Sequence, residues 1–335
     1  MMTNVAVVGA TGAVGETILR VLEERAFPVE RLGAFASRDR TAAVQFRGQT
    51  HDVQATSFER LAPYDVVLFA GGDDASKDLG RRLAEAGKLV ADNSSTYRMQ
   101  SDVPLVVPDV NPHALRAARL APVANCSTIQ LVLALKPLRD AAGLRSVRVA
   151  SYQSVSGAGR PALERLEVEE RALHGPQPVD AQTPFPSAIA RNVIPQIGSF
   201  DDAGNCTEET KIIEETRKIL ELPALHVAAT TVRVPVRYAH SEAVFVETER
   251  EIAVEELAAA LAAQPGVKFV ADGIVTPRDV EGQDTVYVGR LRAEEGSRRH
   301  FQVWVVGDNL RIGAATTAVR LAELMLAARR AESAA

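Results

Sequence analysis

Asn125-Cys126-Ser127-Thr128-Ile129-Gln130 puts one of only two cysteines just ahead of an apolar run that begins at Ile129 and ends at Pro137. The pattern predicts a helix that starts near the thiol. The open N–H groups and dipole of a helix start favour negative charge, so a thiol there ionises readily and makes a good nucleophile. Burial as a small apolar group is the ordinary fate of a lone cysteine. The polar flank around Cys126 sets it apart, whereas Cys206, in Gly204-Asn205-Cys206-Thr207, has no comparable setting. Thiol chemistry also needs a proton carrier and a group that holds an anionic substrate. The segment Arg233-Val234-Pro235-Val236-Arg237-Tyr238-Ala239-His240-Ser241-Glu242 offers both. His240 can take the thiol proton and later protonate an oxyanion, and Arg233 can grip a carboxylate with two parallel hydrogen bonds. By spacing alone, a structural histidine explains His240 equally well.

A second chemistry-bearing stretch is Gly9-Ala10-Thr11-Gly12-Ala13-Val14-Gly15. Peptide N–H groups at a helix start bind a pyrophosphate, and glycine lets the ligand approach the backbone. A tight turn that only packs strand on helix would use the same glycines. The strand pattern before the loop and the helix pattern after it favour the nucleotide reading. The next strand ends Ala36-Ser37-Arg38-Asp39-Arg40, where Ser37, Arg38 and Arg40 suit a 2′-phosphate and predict NADP; Asp39 argues the other way. Thiol and loop together suggest a dehydrogenase that works through a thioester.

These residues need elements to position them. In the first half, strand signals at Val5–Val8, Leu32–Ala36, Asp65–Ala70 and Leu89–Ala91 alternate with helical spacing at Glu16–Arg25 and Ser76–Ala86. This is the βαβ pattern of a Rossmann-like, doubly wound parallel sheet, so the fold class is α/β. The second half reads as α+β around a mixed or mostly antiparallel sheet. Its strands are Ser146–Gln153, Val227–Val236, Glu242–Thr248, Val286–Leu291 and Phe301–Val306, and its helices Pro161–Leu173, Thr207–Leu220 and Glu255–Gln264. Gly175 to Pro186 reads as a loop, and Ala314 to Ala328 as an amphipathic helix able to pack back on the first domain.

The bulk properties narrow the class. At 335 residues there is room for two domains with real cores. A formal net charge of −5 leaves no electrostatic footprint for nucleic acid. Neither a disulfide framework nor zinc-ligand spacing is present, so no metal is expected. No apolar run reaches membrane-spanning length, and the start lacks the features of a signal peptide; a cytoplasmic protein is expected.

Taken in order, GATGAVG (Gly9 to Gly15), DNSSTYRM (Asp92 to Met99), VPDVN (Val107 to Asn111), NCSTIQ (Asn125 to Gln130), SYQSVSGAG (Ser151 to Gly159), NVIPQI (Asn192 to Ile197), RVPVRYAHSE (Arg233 to Glu242) and WVVGDNLRIGAA (Trp304 to Ala315) resemble the aspartate-β-semialdehyde dehydrogenase family over nearly the whole chain. The resemblance implies an oxidoreductase with NADP as acceptor and phosphate as co-substrate. The implied reaction is reductive dephosphorylation of L-aspartyl-4-phosphate to L-aspartate 4-semialdehyde, which feeds lysine (diaminopimelate), threonine, methionine and isoleucine synthesis. It implies that Cys126 is the nucleophile and His240 the acid/base. Gln153 would orient the substrate and Arg233 would bind its carboxylate. Glu208 would meet its amine, with Glu209 next to it as an alternative; Arg98, Lys211 and Asn125 would shape the phosphate site. Ser156, Gly157 and Asn309 would join Gly9, Thr11, Gly12, Ala13, Val14, Gly15, Ser37 and Arg38 as cofactor contacts. It further implies an NADP-binding domain over 1–127 with the helix near 314–330 packed on it, a catalytic and dimerisation domain over 128–313, and a homodimer or tetramer. Departures include Ala124 where a proline is frequent and Thr316-Thr317 where an asparagine is usual. The nearer alternative is N-acetyl-γ-glutamyl-phosphate reductase, which would have no use for a carboxylate facing a free amine; the distant one is a non-catalytic nucleotide-binding paralogue.

Overall fold

Val5 to Val8 are apolar and buried without alternation, as a strand covered on both faces must be. The structure, a computed structural model, describes residues 2–37, 42–71, 73–173 and 184–334. It divides into two compact units, Met1–Asn125 with Gly313–Ala335, and Cys126–Ile312.

The first unit begins with β1 (Thr3–Val8), α1 (Ala13–Glu24), β2 (Val29–Ala36), β3 (Ala43–Phe46), β4 (Gln49–Ala55), α2 (Phe58–Leu61), β5 (Val66–Phe69), α3 (Asp73–Glu85), β6 (Leu89–Asp92) and β7 (Leu120–Pro122). They build a seven-stranded sheet in the order β3-β4-β2-β1-β5-β6-β7. It is the doubly wound parallel sheet expected from the βαβ pattern, apart from the antiparallel β3–β4 pair. Phe35, Phe69, Leu83 and Tyr97 fill part of its core. The hairpin of β3 and β4 and the short β7 were not anticipated. β4 is mostly exposed and polar, so apolar alternation is missing; its signal lies in the turn, where Arg47 and Gly48 both take positive φ (49° and 72°).

The second unit holds α4 (Cys126–Ala142), β8 (Ser146–Gln153), α5 (Arg160–Ala172), α6 (Thr207–Ile219), β9 (His226–Arg233), β10 (His240–Glu247), α7 (Val254–Ala263), β11 (Val267–Val270), α8 (Pro277–Val280), β12 (Val286–Ala293) and β13 (His300–Gly307). The apolar run ends at Pro137, but α4 continues through it to Ala142. An interior proline removes one helical hydrogen bond and costs about 3 kcal/mol. Leu131, Leu133, Leu135 and Leu138 are fully buried around it, and that burial outweighs the local penalty.

The sheet of this unit runs β11-β12-β13-β10-β8-β9. It is mixed: β8–β9 and β11–β12 are parallel, and the other pairs are antiparallel. Along β10, Val244 and Val246 are buried and Phe245 is 39% exposed, so the two faces differ sharply. The loop expected over Gly175 to Pro186 falls mostly outside the described residues. The last element, α9 (Thr316–Ala334), belongs to the first unit and follows a π-helical turn at Arg311–Ala315. There its Arg320 makes a bidentate pair with Asp109 at 2.5 and 2.7 Å, and Glu323 pairs with Arg25 at 2.6 Å.

Candidate active site

The register of the mixed sheet decides which side chains meet. Gln153, the last residue of β8, pairs with Arg233, the last of β9. Ser241 pairs with Tyr152, so one step further sets His240 beside Gln153, and His240 pairs with Gly307 of β13. Arg233, Gln153, His240 and Gly307 thus form one row across four strands, on one face and at one end of the sheet. The carboxyl ends of parallel strands are where open α/β sheets carry their ligands. All three side chains of the row are buried. Two residues deeper on this face, Thr231, Ser151, Glu242 and Val305 form a second row that is polar except at its end.

Cys126 is the first residue of α4 and is half-buried, so it stands where the helix dipole favours an anion. Burial lowers the pKa of Arg233, and Glu208 and Cys126 oppose that shift through their charges. The thiol and the carboxylate therefore each lie within electrostatic reach of the guanidinium. One turn along α4, Gln130 packs where a side chain on Gly307 would otherwise stand, 3.0 Å from its Oε1.

Ser154 sits between the two basic groups. Its carbonyl accepts from Arg233 Nη1 at 2.7 Å, and its peptide N–H donates to His240 Nδ1 at 3.0 Å. Its hydroxyl lies 3.0 Å from the same Nδ1 and 3.1 Å from Asn309 Oδ1. Asn309 Oδ1 also accepts from Ser156 Oγ at 3.1 Å and from the peptide of Ala239 at 3.0 Å, which helps hold Ala239 at its positive φ of 66°. His240 Nε2 and Asn309 Nδ2 are buried and have no hydrogen-bond partner among the described residues. Burial, then Arg233, hold the His240 pKa well below its usual 6.5, with the Ala239 carbonyl pulling weakly upward. Gly157 closes this corner: a Cβ there would stand 3.0 Å from Arg233 Nη1 and 3.2 Å from His240 Nε2.

The adjacent glutamates separate cleanly. Glu209 accepts from the peptides of Cys206 and Thr231 at 2.8 and 2.9 Å, so one oxygen caps the start of α6 and the other ties α6 to β9. Glu208, its neighbour toward Arg233, pairs with Lys211 at 3.3 Å. Cys206 is fully buried, with Sγ 3.0 Å from Thr231 Oγ1. Among the described residues no group of three or more His, Cys, Asp or Glu converges as for a metal ion.

In the first unit the glycine loop joins β1 to α1. Gly12 caps α1 with no side-chain hydrogen bond, and Gly9 turns with φ of 81°. A Cβ on Gly15 would fall 2.2 Å from the Gly9 carbonyl, so the helix start presses directly on the loop. An uncapped helix start flanked by Thr11, Ala13 and Val14 fits a pyrophosphate, and the orphaned amide of Asn309 fits a ligand carbonyl. Ser37 is exposed at the end of β2, and Arg38 lies outside the described residues. Arg98 is buried, its guanidinium held by the carbonyls of Ser94 (3.1 Å) and Asn93 (2.9 Å); Asn125, also buried, directly precedes Cys126. Two residues of the second unit were not singled out from the sequence, Ser154 and Glu242. Both lie in quoted segments, but their importance comes from strand register.

A dinucleotide-type parallel sheet in one unit and, in the other, a helix-start thiol within electrostatic reach of buried Arg233, which shares a row with His240, define the class, a two-unit α/β oxidoreductase. Residues 4–118 match the family model described as "Semialdehyde dehydrogenase, NAD binding domain", and residues 135–312 match "Semialdehyde dehydrogenase, dimerisation domain". The chain is 43% identical to the aspartate-semialdehyde dehydrogenase of Aquifex aeolicus, covering 96% of this chain and 98% of that protein. It is 44% identical to aspartate-semialdehyde dehydrogenase 2 of Vibrio cholerae, covering 96% and 97%. The crystal structure of Vibrio cholerae aspartate semialdehyde dehydrogenase II in complex with ASA is similar with a TM-score of 0.91 at 42% identity, covering 97% of this chain and 98% of that one. The Candida albicans enzyme solved with NADP is similar with a TM-score of 0.75 at 25% identity, covering 98% and 99%. The chain belongs to the aspartate-semialdehyde dehydrogenase family.

Proposed function

We infer that this chain catalyses the NADP-dependent reductive dephosphorylation of L-aspartyl-4-phosphate to L-aspartate 4-semialdehyde, in the synthesis of lysine by way of diaminopimelate, and of threonine, methionine and isoleucine. The observation that carries the reading is the row of Arg233, Gln153 and His240, with Cys126 and Glu208 within electrostatic reach of Arg233. Cys126 attacks the acyl carbon, a carbon–sulfur bond forms, and the bond to the phosphate oxygen breaks. Covalent capture splits one difficult step into two easier ones. NADP, when bound, supplies the hydride chemistry. His240 handles protons through Nε2, Arg233 holds the substrate carboxylate, Gln153 orients the acyl group, and Glu208 meets the amine. Glu208 is preferred over Glu209 because both Glu209 oxygens already serve peptide N–H groups. Arg98, Asn125 and Lys211 hold phosphate. The glycine loop with Ser37 and Arg38, and Ser156, Gly157 and Asn309, serve the cofactor.

The reading includes a homodimer formed through the aromatic face of the mixed sheet, supported by the dimerisation-domain match over 135–312. A cytoplasmic setting suits a nucleophile that must stay reduced. The test is phosphate-dependent reduction of NADP by aspartate semialdehyde, with N-acetyl-glutamate semialdehyde as the comparison. Cys126→Ala is expected to abolish turnover with NADP affinity within about two-fold of wild type, and Cys126→Ser to keep at most a trace. Substantial turnover by Cys126→Ala would remove the thioester, and preference for the acetylated substrate would replace the proposed reaction.

A further inference from the structure

A peptide N–H can only donate. Ser154 N–H points at His240 Nδ1 from 3.0 Å, so that nitrogen must present its lone pair. An imidazole with one bare nitrogen is neutral and carries its proton on the other, here the buried Nε2, which has no partner among the described residues. We propose that Ser154 is the positioning residue of this site: its peptide holds His240 as the neutral Nε2–H tautomer, so that the ring meets the substrate as a hydrogen-bond donor. The Ser154 hydroxyl adds the link to Asn309, and its carbonyl holds Arg233, so one residue sets the geometry of three others.

Burial and Arg233 disfavour an imidazolium, and the Ala239 carbonyl opposes them only in part. The charged and titratable groups around the ring are Arg233 in the same row beyond Gln153, Glu242 two residues along the same strand, and Cys126 within the field of Arg233. A second positive charge beside Arg233 is unfavourable in so buried a place. The resting site is therefore not a thiolate–imidazolium pair. The charge that faces a Cys126 thiolate is the Arg233 guanidinium, and His240 keeps a proton ready for an oxyanion.

The tautomer can be read without turnover, by nitrogen NMR of protein labelled at its six histidines, with His240 assigned by its loss in His240→Gln. The expected spectrum has a bare Nδ1 and a protonated Nε2 from about pH 8 down to about pH 6. An imidazolium or an Nδ1–H tautomer in that range overturns the proposal. Ser154 has φ of −63°, already a proline value, so Ser154→Pro deletes the N–H at little backbone cost. Ser154→Ala keeps the N–H and loses only the hydroxyl. Ser154→Ala should retain the tautomer and lose about ten-fold or less in kcat. Ser154→Pro should lose the tautomer and about a hundred-fold in kcat, with a smaller change in the KM for aspartate semialdehyde. Equal behaviour of the two variants sinks the idea. Should Ser154→Pro fail to fold, the wild-type spectrum decides alone. The kcat arm rests on the proposed reaction and the spectrum does not, so an inactive protein with the expected tautomer would reject the reaction and spare the role of Ser154.

Discussion

Arg233 is a cation in a place that resists cations. Its burial is opposed by Glu208 and Cys126, and one edge of its fork is anchored on the Ser154 carbonyl. A substrate carboxylate would complete the neutralisation. Arg233→Lys keeps the charge but loses the planar fork. The KM for aspartate semialdehyde should rise about ten- to hundred-fold with a smaller fall in kcat; an unchanged KM in steady-state kinetics would take the carboxylate away from Arg233. Gly157 is the complementary case, a residue that matters by being small. Gly157→Ala places a methyl 3.0 Å from Arg233 Nη1 and 3.2 Å from His240 Nε2. Its φ is ordinary, so the fold should persist while kcat/KM falls about ten-fold or more; wild-type kinetics with a wild-type melting curve would show that the corner has room. Cys126, Arg233 and His240 were legible as candidates because reactive residue types stand in distinctive segments, and Gln153 through the family resemblance. Ser154 was not, because what it contributes is a peptide N–H, and every residue but proline has one.

At the scale of elements, the polar second row has a cost. Glu242 is fully buried and Gln130 faces it as a donor, yet among the described residues neither Glu242 oxygen nor Gln130 Nε2 makes a well-formed hydrogen bond. Burial raises the Glu242 pKa well above 4.5, with Gln130 only partly opposing the shift. The folded state therefore keeps a proton that the unfolded chain releases. The stability this proton confers is complete below the unfolded value and is lost as pH rises through the folded one, by up to about 1.4 kcal/mol per pH unit. Glu242→Gln cannot ionise. It should melt with wild type at about pH 4 and above it at about pH 8; a pH-independent difference would mean that Glu242 ionises freely in the fold. Elements were legible where periodicity was strong, as in β8 and α6. They were hidden where another force decided: turn dihedrals for the β3–β4 hairpin, and tertiary burial for the course of α4 through Pro137.

For the molecule as a whole, the second unit's sheet has two faces with different tasks. One carries the row of Arg233, Gln153 and His240. The other presents Tyr152 and Phe245, each 39% exposed, with the Tyr152 ring 5.6 Å from Trp304. Open aromatic surface of this kind is what association covers. Phe245→Glu should convert a dimer to a monomer in sedimentation velocity at micromolar concentration, and a dimer that survives the change would move the interface elsewhere. The parallel and mixed sheets were readable from alternation and apolar runs. The common row was not, because no local pattern reports which residue of one strand stands opposite which residue of another.

That row has one more consequence. Strand pairing shifts only in whole residues, and a shift of one turns every side chain of a strand to the opposite face. A constellation written across four strands therefore has no slightly misaligned version. Each molecule either carries all of it or none, and as the protein is warmed its output should fade by the disappearance of working copies, each of which works at full strength until its sheet gives way.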